Sequence, residues 1–241
     1  DRHTEQQEVL DEICQIVEQE NIDLVLHAGD VYDTYNPPAE SEALFYRTMV
    51  RMADGGRRGV VVIAGNHDSP DRLCASRKLA EELGIVVVGR PEETPATFDL
   101  GEGKVACIAA GPSFLRLRLA DNATIDIAPI PYVSESRLGR RLVERLDDPE
   151  AIENYDRAVA GIAAAGVAQF DRANPGIIVS HLYVAKGPDA SAADASTTET
   201  TAESTEEKGS ERPGSIGTAV RVNAGSFPEE VDYIALGHLH R

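Results

Sequence analysis

The chain has 241 residues, enough for one large domain or a domain with an appendage, and carries a formal net charge of −18. That charge argues against unaided binding of a polyanion, since phosphate backbones are held mainly by Lys and Arg. No apolar run is as long as a membrane span, and Cys14, Cys74 and Cys107 show no paired spacing, which excludes a disulfide framework or a zinc–thiolate site.

The N-terminal stretch "DRHTEQQEVL" has no signal-peptide pattern. With unpaired cysteines, this makes a reducing cytoplasm the expected compartment. Thr4 to Glu20 reads as a helix. Thr4 and Gln7 form a capping-box pattern, and Val9, Ile13, Ile16 and Val17 share one face. "DLVLHA" (23–28) reads as a short buried strand. After the turn-like "YNPP", Ala39 to Ala53 reads as a second helix. "GVVVIA" (59–64) is a β-branched run of the parallel-sheet kind. A helix over 71–83 and a strand "IVVV" (85–88) follow. Further strands are expected at 105–110, 125–129, 176–180 and 232–236, with a long helix over 149–170.

The alternation of helices and strands predicts an α/β fold with a parallel sheet. Residues 186–215 differ, being rich in Ser, Thr, Ala, Glu and Pro without apolar periodicity. Such a segment buries too little apolar surface to offset its ordering entropy, so a mobile low-complexity insertion is expected there.

Four predicted strands each lead directly into residues of metal-ligand type. "DLVLHA" is followed by Gly29-Asp30-Val31-Tyr32-Asp33, and "GVVVIA" by Gly65-Asn66-His67-Asp68. "GIIVS" runs into His181, and "DYIAL" into Gly237-His238-Leu239-His240. Any one of these alone is an ordinary turn or a hydrogen-bonded histidine. Ligands of open α/β sheets bind at the carboxyl ends of parallel strands, so parallel strands would gather all four clusters at one edge. Carboxylate, amide oxygen and imidazole without thiolate suit Mn²⁺, Fe²⁺, Zn²⁺ or Mg²⁺. Two such ions about 4 Å apart would clamp a phosphate and generate hydroxide near neutral pH. His27, inside its strand, reads as a packed residue. Tyr32 and Tyr35 read as core, with substrate contact the alternative, and Arg137 and the Arg140–Arg141 pair as helix-surface charge, with contact to phosphate or a partner the alternative.

"GDVYD", "GNHD", a strand-end His and "GHLH" resemble, in order, four of the five motifs of the calcineurin-like metallophosphoesterases. "LVLHAGDVYDTYNPP", "VIAGNHDSPDRLCA", "PIPYVSESRL", "SERPGSIG" and "YIALGHLHR" are similar to the SbcD exonuclease family. The resemblance covers nearly the whole chain outside the insertion. It implies an α/β sandwich of two mixed β-sheets flanked by helices, with residues 1–241 as the nuclease domain. It also implies two divalent ions, most often Mn²⁺. Asp30 would bridge them, Asn66, His181 and His238 would hold one ion, and His240 would reach the other. His67 would assist the leaving oxygen, Asp68 would orient it, and Asp33 would steady the site from behind the ligands. The implied reaction is hydrolysis of a DNA phosphodiester by in-line attack of hydroxide. The implied partners are DNA and an SbcC-type coiled-coil ATPase, in an assembly with two nuclease subunits and no membrane.

The family's first motif, an Asp-x-His after an opening strand, has no counterpart at that place. Asp1-Arg2-His3 fits the bare pattern, but no strand precedes it and a helix follows directly. The expectation is a domain truncated at both ends, lacking a C-terminal cap, with the second ion left to Asp30 and His240. Two other readings are a phosphoesterase of this fold acting on small phosphate esters, and a non-catalytic scaffold that lost one metal.

Overall fold

A computed structural model describes residues 2–138, 149–185 and 222–239. The expected insertion at 186–215, His240, Asp1 and the Arg140–Arg141 pair lie outside the described residues. In chain order the elements are α1 (Arg2–Gln19), β1 (Leu24–His27), α2 (Ala39–Ala53), β2 (Gly59–Ile63), α3 (Pro70–Leu73), α4 (Arg77–Glu81) and β3 (Ile85–Val88). They continue with β4 (Phe98–Asp99), β5 (Ala106–Gly111), β6 (Phe114–Arg118), β7 (Thr124–Ile130), α5 (Glu135–Leu138) and α6 (Pro149–Val167). The last are β8 (Gly176–His181), β9 (Val184–Ala185), β10 (Val222–Asn223) and β11 (Tyr233–Gly237). Among the described residues no helix is long and apolar enough to cross a membrane.

Two sheets make the body. One is parallel throughout its described strands, in the order β1-β2-β3. The other is mixed, in the order β11-β8-β7-β6-β5-β4, with β11, β8 and β7 parallel and the rest antiparallel. A short parallel pair, β9 with β10, stands apart.

The β2 run "GVVVI" is apolar throughout because both of its faces are covered. Val60 and Val62 face Cys14 of α1, Phe45, Met49 and Met52 of α2, and Leu73 of α3. Val61 and Ile63 face the other sheet, against Leu115, Leu117, Ile127 and Val179. That second sheet turns its outer face to α6, where Ala128, Ile130 and Ile178 meet Tyr155, Val159, Ile162 and Ala163. The result is helix, sheet, sheet, helix in four layers. Each fully buried Val or Ile side chain contributes about 2 kcal/mol by leaving water.

Three sequence expectations change. The helix expected over 71–83 is two short helices, because the chain turns at Cys74–Ser76. Strands β4 and β6 lie where no strand was expected. "FLRLR" alternates correctly for a half-covered strand, but a five-residue run beside "GPS" is a weak signal on its own. The N-terminal helix begins at Arg2, so Thr4 sits inside its first turn and is not the cap. Its expected apolar face is also only partly used. Cys14 and Val17 are buried, whereas Val9, Ile13 and Ile16 are 40–55% exposed.

A buried ion pair fastens the hairpin of β6 and β7. Arg116 and Asp126 are cross-strand partners, and the guanidinium meets the carboxylate through Nε at 2.6 Å and Nη2 at 2.8 Å. Asp126 is wholly buried and also accepts the Asp171 N–H at 2.6 Å. Asp126→Ala leaves these donors without an acceptor. It should cost about 2 kcal/mol or more, read as a lower urea midpoint with an unchanged slope.

Candidate metal centre at the strand ends

The four clusters meet. Strands β1 and β2 run parallel in one sheet and β8 and β11 in the other, and β2 lies against β8. The carboxyl ends of all four strands therefore open on one edge. Just past β1 the chain bends sharply at Gly29 (φ 89°) and Asp30 (φ 49°). A Cβ on Gly29 would fall on the imidazole of His181, and one on Gly65 would fall on Asp30. Glycine at 29 lets the two sheet ends close on each other, and glycine at 65 lets the loops after β1 and β2 meet.

His181 is almost fully buried, and its Nδ1 lies 2.7 Å from the Ala28 carbonyl oxygen. Only a protonated Nδ1 can make that bond, so in the neutral ring the lone pair belongs to Nε2. That Nε2 lies 2.9 Å from Asn66 Oδ1, 3.1 Å from Asp30 Oδ2 and 3.3 Å from His238 Nδ1. His238 Nδ1 is in turn 2.9 Å from Asn66 Oδ1. Asp30, His181 and His238 each present one donor atom, and the three lie within 4.8 Å of one another. The Asp30 carboxyl is pushed up by burial, but a second proton on His181, at Nε2, together with the His67 N–H, would outweigh this and hold it below the ordinary range.

Two imidazole nitrogens, a carboxylate oxygen and an amide oxygen thus gather, with His181 Nε2 at 2.9–3.3 Å from the other three. With His181 neutral, three of the four have only lone pairs to offer: Asp30, Asn66 and His181. Such a set is repulsive until a cation or proton sits among it. A divalent ion with bonds of about 2.1 Å needs adjacent octahedral ligands roughly 3 Å apart, so these residues fit one.

The remaining predicted residues divide. His67 lies beside the centre, its N–H donating to Asp30 Oδ1 at 3.0 Å. Its Nδ1 meets the backbone carbonyl of Asp33 at 3.1 Å, which holds the ring. Asp68, expected to orient His67, makes no hydrogen bond to that ring among the described residues. It is wholly buried and spends its carboxylate on three backbone N–H groups: Gly65 (2.7 Å), Tyr32 (2.9 Å) and Val31 (3.0 Å). It is a strut joining the loop after β1 to the loop after β2. Asp33 is exposed, and the contact made to His67 is through its carbonyl. His27 is packed in β1, and its buried Nδ1 has no hydrogen-bond partner among the described residues. His3 lies in α1 and outside the cluster.

Sequence reasoning missed Tyr132 and took Arg137 by default as helix-surface charge. Tyr132 follows β7, with its ring 6.4 Å from that of His181 and 6.0 Å from that of His238. Arg137 stacks on Tyr132 with the guanidinium 5.4 Å from the ring centre. Both lie in "PIPYVSESRL", whose pattern says nothing about which distant loop it will meet. Tyr32 is core as expected, but Tyr35 is 57% exposed. It helps line a cleft of about 340 Å³ beside Asn66, with Arg90, Tyr132, Ser134 and Arg137.

The whole chain, residues 1–241, matches the family model described as calcineurin-like phosphoesterase. The chain belongs to the calcineurin-like phosphoesterases. Membership in this family implies use of a divalent metal, which agrees with the donor set. Over its full length the chain is 35% identical to the SbcD subunit of nuclease SbcCD from Bacillus subtilis (strain 168), covering 52% of that protein. It is 30% identical to the protein of the same name from Escherichia coli (strain K12), again covering 52%. Over 121 residues it is 31% identical to the DNA double-strand break repair protein Mre11 of Sulfurisphaera tokodaii, which is 48% of this chain and 30% of that protein. The chain spans about half the length of the SbcD proteins it matches.

Asp68→Ala tests the strut. It leaves three backbone donors without an acceptor, two of them in buried bonds. We expect a loss of about 3 kcal/mol in thermal or urea unfolding. We also expect weaker divalent-ion binding by calorimetry, although Asp68 faces no ion. Gly29→Ala should weaken ion binding as well, by displacing His181.

Proposed function

We propose that the chain is the catalytic domain of a metal-dependent DNA nuclease subunit of the SbcD type. The observation that carries this reading is the convergence of Asp30, Asn66, His181 and His238 donor atoms at the ends of four parallel-running strands. The names of the relatives supply the substrate class. Asp30, Asn66, His181 and His238 would hold one divalent ion. We assign His240 to a second ion shared through Asp30, and Mn²⁺ as the metal.

A divalent ion bound there supplies a Lewis acid that neutralises charge on a phosphoryl oxygen and makes water a nucleophile near neutral pH. The chain's own groups do the rest. The protonated Nδ1 of His181 keeps its Nε2 turned to the ion. The His67 N–H steadies Asp30 Oδ1. With its Nδ1–H given to the Asp33 carbonyl, His67 would pass a proton from Nε2 to the departing oxygen only as the doubly protonated imidazolium. Asp68 keeps the two loops in register throughout.

The charge of −18 bears on partners. A surface this acidic repels duplex DNA beyond the reach of its metal ions. An SbcC-type ATPase would supply basic surface, and a second nuclease subunit would pair the two active centres. Cytoplasmic location follows from action on DNA in the cell.

The test uses the full-length protein with an SbcC-type coiled-coil ATPase. Linear duplex DNA and a small chromogenic phosphodiester are assayed in Mn²⁺. Metal-dependent DNA cleavage is expected. His67→Ala should slow it by about 10²-fold or more while ion binding is largely kept. Turnover of the small ester with DNA left intact would reject the nuclease reading.

A further inference from the structure

We propose that Arg137 is a positioning residue for the metal centre, pinning the loop that carries Asn66 and His67. The inference rests on reading the site as a metal-dependent phosphodiester-cleaving centre. Its geometry is independent of any substrate.

The loop after β2 is held from two sides. On the N–H side, Asp68 accepts the Gly65 N–H at 2.7 Å. On the C=O side, a single nitrogen of Arg137, Nη2, donates to the carbonyls of both Gly65 and Asp68, each at 2.8 Å. Asn66 and His67 lie between those two carbonyls. The guanidinium therefore closes a bracket around the two residues, one a ligand and the other the candidate proton donor. Charge-assisted bonds of this length are about twice as strong as neutral ones, which suits a clamp.

The same guanidinium reaches the other ligands through packing. It stacks on Tyr132, whose ring lies beside those of His181 and His238. Tyr132 is itself fixed by its N–H, which donates to the Ala64 carbonyl at 2.9 Å, one residue before the loop. Three of the four donor residues thus connect to one side chain: Asn66 through the loop, and His181 and His238 through Tyr132. Arg137 also lines the cleft beside Asn66, together with Arg90, Tyr35 and Ser136. A phosphate contact there is the competing role. The geometry favours the clamp, because both 2.8 Å bonds go to the loop's carbonyls.

The two roles separate in kinetics and binding. In the full-length protein, Arg137→Ala should lower kcat and Mn²⁺ affinity by roughly 10–100-fold, the range found when groups that orient metal ligands are removed. KM for a small phosphodiester should change little, and so should the thermal midpoint without metal. Added guanidinium or methylguanidinium should restore part of kcat and of the Mn²⁺ affinity. Arg137→Gln, with one amide donor in place of the bridging nitrogen, should fall between. It also serves as the second variant if the alanine protein fails to fold.

Unchanged Mn²⁺ affinity and kcat would overturn the proposal and return Arg137 to surface charge. A loss confined to KM would overturn it in favour of a substrate contact. The Mn²⁺ titration needs no nuclease activity. A protein that cleaves no DNA would sink the function proposed above and leave this inference to be judged on ion binding alone.

Discussion

One hydrogen bond organises this protein's chemistry. The Nδ1 of His181, at the end of a strand in the six-stranded sheet, donates to the carbonyl of Ala28, just past a strand of the three-stranded sheet. The residues are 153 apart in sequence. The bond ties the two sheets together at the edge where the ligand groups gather. It also decides which imidazole nitrogen carries the proton, and so which one faces Asp30 and Asn66. Gly29 has no side chain because that imidazole occupies the space.

Around this tie, the loops are built to hold acceptors against each other. Lone pairs of Asp30, Asn66 and His181 converge, an arrangement that favours a bound cation. The protein offsets their repulsion with rigidity elsewhere. Asp68 gathers three N–H groups from two loops, and Arg137 gathers two carbonyls from one of them. The sandwich beneath supplies the stiffness. Val61 and Ile63 pack against Leu115, Leu117 and Val179 with no exposure worth noting, so the strand ends have little room to shift.

The acidity of the chain and its proposed substrate pull in opposite directions. A metal centre answers this locally, because an ion is the largest positive charge in its neighbourhood. It does not answer it along a duplex. That is the physical reason for assigning basic surface to a partner.

Much of this was legible in the residues. Continuous β-branched runs placed β2 and β3, and ligand-type residues directly after four strands marked the centre, since strand ends are where parallel sheets bind ligands. What the sequence by itself determined was therefore the fold class, the parallel strands and the placing of ligand-type residues at their ends. Tertiary structure decided the rest. Asp68 looks catalytic beside His67 in sequence, yet its carboxylate meets Val31 and Tyr32, residues 37 and 36 positions away. Arg137 looks like surface charge, yet it grips carbonyls 72 and 69 positions away. Local pattern carries no information about which distant backbone group will come within hydrogen-bonding reach. A side chain whose partner is backbone is therefore silent in sequence until the sheets close, and in this protein such side chains hold the site in shape.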